Sequence, residues 1–140
     1  METSEIGLFK HLIMIKNFEQ ITKELTAQEL ALIPVLMSGF RNHGRENPIL
    51  ARDIVRSMNV HLKKYRDPIN FTEARLRKCV NHMRTNAIMP LIATKNGYYV
   101  SYDSDEIYSQ IQSLEERANS INRCVGGLWA IMNKIKEGAV

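Results

Sequence analysis

The chain has 140 residues, of which 44% are hydrophobic and 24% are charged, and its formal net charge is +4. This size fits one domain with an appended helix, and the apolar fraction is enough for a packed core, which excludes a disordered chain. Residues 1–5 are acidic where a secretory signal is basic, and the apolar run at 12–15 is too short to span a membrane. We therefore expect a cytoplasmic protein with no membrane partner, in which Cys79 and Cys124 are free thiols.

The charge is distributed unevenly along the chain. Twelve lysines and arginines but only four acids lie between Arg41 and Gly97, so this segment carries +8 and the flanking segments together carry −4. Clustered cations gain most where they neutralise phosphates. The basic segment therefore favours a polyanionic partner, and an ordinary solvated surface is the alternative explanation.

Two helices are predicted before the basic segment. Apolar residues at helical spacing predict the first from Ser4 to about Lys23. The sequence Thr26-Ala27-Gln28-Glu29 has the form of a capping box and predicts the start of the second. Pro34 lies inside that helix and predicts a kink or a restart there. The apolar face of the second helix is predicted to consist of Leu30, Ile33, Met37 and Phe40.

The elements that follow have the order of a winged helix-turn-helix. The pattern predicts a brief strand at 48–50, a short helix at 52–58, a basic connection at 61–68 and a helix from Asn70 or Thr72 to about Asn86. Strands at 88–93 and 98–102 then flank Lys95-Asn96-Gly97, which predicts a type I′ turn. We predict a mainly α fold with a small β-hairpin wing: an N-terminal amphipathic helix (1–25), a winged helix-turn-helix domain (26–102) and a long C-terminal heptad helix (103–140).

The C-terminal helix carries the most regular pattern in the chain. Asp103 and Glu106 form a second capping box, and apolar residues then alternate at spacings of four and three from Ile107 to Ile135. Such a seam needs a partner surface, either a second copy of the chain or the N-terminal helix, and its length favours a homodimer. The residues predicted to form the dimer contact are Ile107, Ile111, Leu114, Ile121, Val125, Leu128 and Met132.

The helix at 72–86 is predicted to read DNA. Its apolar arc would pack on the core, and the opposite arc is polar and basic with no acid after Glu73. A helix of this width fits the major groove, and the hairpin tip would contact the backbone or the minor groove. The predicted DNA-binding residues are Arg75, Lys78, Asn81, His82, Arg84, Thr85, Lys95, Asn96, Lys63 and Lys64.

The run from Arg75 to Arg84 (RLRKCVNHMR), followed by Ile92, Gly97-Tyr98-Tyr99 and Asp105-Glu106-Ile107, resembles small winged-helix proteins of phages and prophages. The similarity covers roughly residues 26–125. It implies a non-enzymatic DNA-binding protein of the regulatory or replication-associated type, acting in a bacterial host cell. The chain departs from that pattern in having Met83 where leucine is usual and a basic insertion at 61–66.

Enzymatic functions find no support in the residue pattern. The histidines and cysteines lack the paired spacings of a zinc site, and no phosphate-binding loop, dinucleotide glycine pattern or nucleophile elbow is present. We expect no cofactor and no small-molecule substrate. The alternative to a DNA-binding protein is a protein-interaction module that docks a partner on the heptad helix, and RNA binding is a minor third hypothesis.

Overall fold

The computed structural model describes residues 24–138, so the helix predicted from Ser4 to Lys23 lies outside the described residues. The described chain is mainly helical, with four helices and one two-stranded antiparallel hairpin. This confirms the predicted class: mainly α, with a small hairpin and a long C-terminal helix. The elements are α1 (Ala27–Phe40), α2 (Ala51–Leu62), α3 (Glu73–Thr85), β1 (Leu91–Thr94), β2 (Gly97–Val100) and α4 (Ser104–Lys136).

The chain divides into two compact units, the first ending at Ser101 and the second beginning at Tyr102. The core of the first unit is formed by α1, α2, α3 and the hairpin. The apolar arc of α3, which was predicted to pack on the core, is buried and consists of Leu76, Cys79, Val80 and Met83. They pack in one cluster with Leu32, Ile33, Leu36, Phe40, Ile54, Met58, Leu62, Phe71, Met89 and Leu91.

Helix α1 begins with the predicted capping box. The Thr26 hydroxyl accepts from the Glu29 N–H at 3.2 Å, and the Glu29 carboxylate accepts from the Thr26 N–H at 2.9 Å. Pro34 lies within a helix that runs without a break to Phe40, so the predicted restart is wrong. The buried face is also offset from the prediction, because Leu30 is 47% exposed whereas Glu29 is 3% exposed.

The segment between α1 and α2 joins the hairpin. Ile49 exchanges two backbone hydrogen bonds with Tyr98, of 2.9 and 2.8 Å, so the predicted strand at 48–50 is reduced to a single bridge. Gly97 lies against this bridge with φ +123°, and a Cβ on Gly97 would be 2.4 Å from the Ile49 carbonyl oxygen. Only glycine allows this approach of the two backbones.

Helix α2 runs to Leu62, beyond the predicted end at Met58, and a side chain anchors the connection that follows it. The Asn59 amide donates to the Phe71 carbonyl at 3.0 Å and accepts from the Phe71 N–H at 2.9 Å. Because Phe71 is 1% exposed, this pair of bonds fixes the residue just before α3 against the core.

Helix α3 is capped at both ends. The Thr72 hydroxyl accepts from the Arg75 N–H, which selects Thr72 over Asn70 as the first cap. At the other end Ile88 donates to Met83 and Ala87 donates to Arg84, the two bonds of a Schellman motif. Ala87 has φ 52°, in the left-handed region where glycine is usual.

The hairpin pairs Leu91 with Val100 and Thr94 with Gly97. The first strand begins later than predicted, after Pro90, which has no N–H to donate to a ladder. The predicted type I′ turn is wrong, because it requires positive φ at both Asn96 and Gly97. Among the described residues, positive φ is confined to Ala87, Gly97 and Gly138.

Helix α4, from Ser104 to Lys136, is the regular secondary structure of the second unit's described residues. It begins at the predicted cap, where the Asp103 carboxylate accepts from the Asp105 N–H at 2.8 Å. From Ser104 to Lys136 no residue is buried. None of the helices in the described part of the chain is both long and apolar enough to cross a bilayer.

Candidate nucleic-acid interface

A carboxylate from α1 binds two of the α3 cations that were predicted to contact DNA. Glu29 lies on the buried face of α1, in helical register with Leu32 and Ile33, and is 3% exposed. Its Oε2 accepts from the Arg75 Nε at 3.1 Å, and its Oε1 accepts from the Lys78 Nζ at 2.5 Å. One buried carboxylate therefore holds two of the predicted DNA-binding cations.

The charge state of Glu29 follows from these contacts. Burial alone would raise the pKa of its carboxyl group. Hydrogen bonds from Lys78, from the Thr26 N–H and from Arg75 outweigh burial and lower the pKa from 4.5 to about 2. Glu29 is thus ionised at neutral pH, and its charge is compensated locally.

The two cations differ in how far they are withdrawn from solvent. The Lys78 side chain is 12% exposed, and the Arg75 side chain is 37% exposed. Arg75 also donates from Nη1 to the Asn70 carbonyl at 2.6 Å, so its guanidinium joins α1 to the residues before α3. Both residues have an internal structural role that the charge count did not predict.

Some of the polar residues of α3, Lys78 among them, face an open depression of about 430 Å³. Asn81, His82 and Thr85 line one side of it, and Leu25 and Leu30 of the α1 segment line the other. Asn81 and His82 are half-buried, and Thr85 is exposed. These three side chains present amide, imidazole and hydroxyl groups, which are the kinds of groups that contact base edges and phosphates.

Arg84, also predicted to bind DNA, is tied to the hairpin. Its Nε donates to the Leu91 carbonyl at 3.1 Å, which joins the end of α3 to the first residue of β1. Arg77 was not among the predicted DNA-binding residues, yet it is exposed. Within residues 24–138 Arg77 has no ion pair.

The hairpin tip and the α2–α3 connection are open to solvent. Lys95 and Asn96 are exposed, and the Asn96 N–H donates to the Thr94 hydroxyl at 3.1 Å, which orders the turn. Lys63 and Lys64 are exposed immediately after α2. These predicted residues therefore keep their charged or polar groups accessible to a ligand.

The predicted dimer contact lies along α4. Ile107, Val125 and Met132 are partly exposed. The more exposed members are Ile111 (44%), Leu114 (37%), Ile121 (56%) and Leu128 (66%). Trp129, Ile131 and Ile135 add further exposed apolar surface near the helix end. Every residue of the predicted dimer contact is therefore at least partly exposed.

Cys79 lies on the buried face of α3. Burial and, to a smaller extent, the nearby Glu29 carboxylate raise the pKa of the Cys79 thiol to about 11. Cys79 is 0% exposed, whereas Cys124 is exposed. Residues 24–138 contain no group of three His, Cys, Asp or Glu side chains placed to hold a metal ion.

No family model, curated protein or solved structure matches this chain.

Proposed function

We propose that residues 24–101 form a winged helix-turn-helix that binds duplex DNA and has no enzymatic activity. The order helix, bridge at Ile49, helix, helix and hairpin is that of the winged-helix motif, with α3 in the position of the recognition helix. The protein would act in a bacterial cytoplasm or nucleoid as a phage- or prophage-type regulator or replication-associated factor, without a cofactor or a small-molecule substrate.

One observation carries the proposal. Seven cations of the first unit are exposed, and none of them forms an ion pair within residues 24–138: Arg41, Arg52, Lys63, Lys64, Arg66, Arg77 and Lys95. Exposed cations without local counter-charges bind phosphate with the largest gain from counterion release. A solvated protein surface ordinarily carries charges of both signs. In the first unit the acid Glu29 is buried.

The proposal assigns different roles to the residues predicted from the sequence. Lys63, Lys64, Arg77 and Lys95 would contact phosphates. Asn81, His82 and Thr85 would face base edges from α3, with Asn96 at the wing. The remaining predicted residues, Arg75, Lys78 and Arg84, would mainly orient α3, since each already bonds to another part of the unit.

The protein would bind as a homodimer joined through α4. The exposed apolar seam supports this part of the proposal, because continuous apolar surfaces of this length are normally covered in soluble proteins. Changing Ile121 to Asp should abolish dimers, since a carboxylate would be buried between two helices. Changing Asn119 to Asp, on the outer face of α4, should leave them intact. Sedimentation velocity distinguishes the two variants.

Fluorescence anisotropy of labelled duplexes tests DNA binding. The Lys63→Ala and Arg77→Ala variants should each weaken binding to every duplex and lower the slope of log K against log salt by about 0.9 per lost phosphate contact. Thr85→Ala should instead reduce the preference for a selected duplex, by about 1 kcal/mol, with little change in that slope.

Lys134→Ala is the matched control, because it removes an exposed cation from α4 and leaves the first unit unchanged. At protein concentrations at which the chain is dimeric, it should have no effect on affinity or slope. Equal losses in Lys134→Ala and Arg77→Ala would contradict a specific interface in residues 24–101. An absence of salt-dependent binding to any duplex would reject the function.

A second candidate function is a protein-interaction module that docks another protein on α4. The observation that favours it is the withdrawal of Arg75 and Lys78 from the predicted DNA-binding surface by Glu29. This candidate predicts a monomer at all concentrations, with Trp129 accessible to quenchers until a partner binds. Light scattering over a concentration series distinguishes it from the homodimer.

A further inference from the structure

The seam of α4 has a heptad register that can be assigned to individual residues. In that register the a positions are Ile111, Ala118, Val125 and Met132, and the d positions are Ile107, Leu114, Ile121, Leu128 and Ile135. The helix continues without a break through all of them. At 1.5 Å per residue, its length is about 50 Å.

Charge is segregated along the same helix. Residues 103–116 contain five acids and no lysine or arginine. Residues 117–136 contain four cations, Arg117, Arg123, Lys134 and Lys136, and no acid. The helix is therefore acidic over its first part and basic over the rest. Acids near the start and cations near the end of a helix also interact favourably with its dipole.

This segregation distinguishes the two ways of pairing α4 with a second copy. In a parallel pair, the acidic parts lie side by side and the helix dipoles are aligned, so both interactions are repulsive. In an antiparallel pair, each acidic part lies beside the basic part of the other copy, and the dipoles oppose one another. Charge complementarity therefore favours an antiparallel pair of α4 helices.

The packing of the seam favours the same orientation. In a parallel pair Ala118 lies level with Ala118 of the second copy, which leaves a thin layer in the middle of the seam. In an antiparallel pair a positions lie level with d positions, so Ala118 meets Leu128 or Ile121 of the second copy. A small residue opposite a large one fills the layer evenly.

We propose that α4 pairs antiparallel with α4 of a second copy of this chain, so that the helix starts lie at opposite ends of the pair. The inference rests on the self-association proposed above and adds its direction. It is independent of whether the first unit binds DNA. Gly126 and Gly127, at b and c positions, lie on the outer face of this pair and do not interrupt the seam.

Distances between spin labels measure the direction of pairing. The full chain with Cys124→Ser retains only Cys79, which is 0% exposed and therefore protected from labelling. Ser109→Cys and Arg123→Cys then each introduce one labelling site on the outer face of the helix, near its start and near its middle. Pulsed electron paramagnetic resonance gives the distance between equivalent labels in the dimer.

The antiparallel pair predicts at least about 35 Å between labels at position 109 and less than about 30 Å at position 123. A parallel pair would give less than about 25 Å at both positions and would overturn the proposed direction. Absence of dipolar coupling at both positions, together with a monomer in sedimentation, would overturn self-pairing itself.

Salt dependence gives an independent measurement. Raising NaCl from about 20 to 300 mM screens charges on the surface of the pair. The antiparallel arrangement predicts a dimer dissociation constant that rises several-fold, because attractions are screened. A dissociation constant that falls over this range would contradict the proposal, since it would show that like charges lie side by side.

Discussion

The first unit and α4 differ in which side chains are buried and which are exposed. The first unit buries a carboxylate, Glu29, and surrounds it with two cations and a capping hydrogen bond. Helix α4 buries none of its residues from Ser104 to Lys136 and leaves Leu128 66% exposed. The first unit thus packs its apolar side chains into a core of its own, whereas the apolar side chains of α4 are at least partly exposed.

The difference has a consequence for matched substitutions. The same chemical change should alter stability differently in the first unit, where the side chain or backbone is constrained, and in α4, where it faces solvent. Urea denaturation followed by far-UV circular dichroism, combined with hydrogen exchange of the amides in each unit, measures both effects in one protein.

Glycine to alanine should give the largest contrast. Gly97→Ala should lower the free energy of unfolding of the first unit by about 4 kcal/mol, because the new Cβ would collide with the Ile49 backbone at a positive φ. Gly126→Ala should stabilise α4 by about 0.5–1 kcal/mol, since nothing lies within 4 Å of the added methyl group. Equal effects at the two sites would contradict this description of the Ile49–Tyr98 bridge.

Glutamate to glutamine should give the next contrast. Glu29→Gln keeps the capping hydrogen bonds but removes the charge that Arg75 and Lys78 bind. We expect a loss of about 3 kcal/mol at pH 7, from a pKa of about 2 against an ordinary value of 4.5. Glu115→Gln, at an exposed position of α4, should change the stability of the first unit by less than about 0.5 kcal/mol.

The pH profile tests the same carboxylate. Because the folded pKa of Glu29 is lowered, its contribution is fully present above pH 4.5 and is lost as pH falls towards about 2. The difference in stability between the native chain and Glu29→Gln should therefore disappear over this interval. A difference that persists at pH 2 would mean that the substitution acts through packing and not through charge.

Glu29→Gln also separates stability from DNA binding. Releasing Arg75 and Lys78 from their buried partner should make them available to phosphate, so binding to any duplex should become tighter and more salt-dependent in spite of the lower stability. Unchanged affinity and slope would mean that these two cations lie outside the contact surface.

Asparagine to alanine should have an intermediate effect. Asn59→Ala removes both hydrogen bonds to the Phe71 backbone and should cost about 2 kcal/mol. Asn119→Ala, on the exposed outer face of α4, should be neutral or slightly stabilising, because alanine has the higher helix propensity. A negligible effect of Asn59→Ala would show that water replaces both bonds.

Alanine to glycine should give the smallest contrast, with opposite signs. Ala87→Gly should stabilise the first unit by about 1 kcal/mol, because φ 52° at the end of α3 suits glycine. Ala130→Gly, inside α4, should destabilise that helix by a similar amount. Destabilisation by Ala87→Gly would mean that the conformational entropy gained by the unfolded chain outweighs the strain relieved at the positive φ of residue 87.

Local patterns predicted most of the fold. The capping box at Thr26, the buried arc of α3 and the start of α4 at Asp103 were confirmed because each depends on residues within one or two helical turns. The turn type at Asn96–Gly97 was wrong, since the position of Gly97 is set by the distant Ile49 and not by the dipeptide alone.

The candidate site was predicted less completely. From the sequence, Glu29 was assigned only to a helix cap, although its register with Leu32, Leu36 and Phe40 places it on the buried face of α1. A carboxylate on such a face needs a cationic partner, and this requirement was the available signal for Arg75 or Lys78. Which cations it would meet depended on how α1 packs against α3.

The sequence by itself determined where α1 and α4 begin, which arc of α3 is apolar and which residues form the seam of α4, because periodicity and caps act over short distances along the chain. Tertiary structure alone decided that Arg75 and Lys78 bind an internal carboxylate while Lys63, Arg77 and Lys95 remain exposed. The physical reason is that a charge is stabilised by the groups that surround it in space, and Glu29 and Lys78 are 49 positions apart in the sequence.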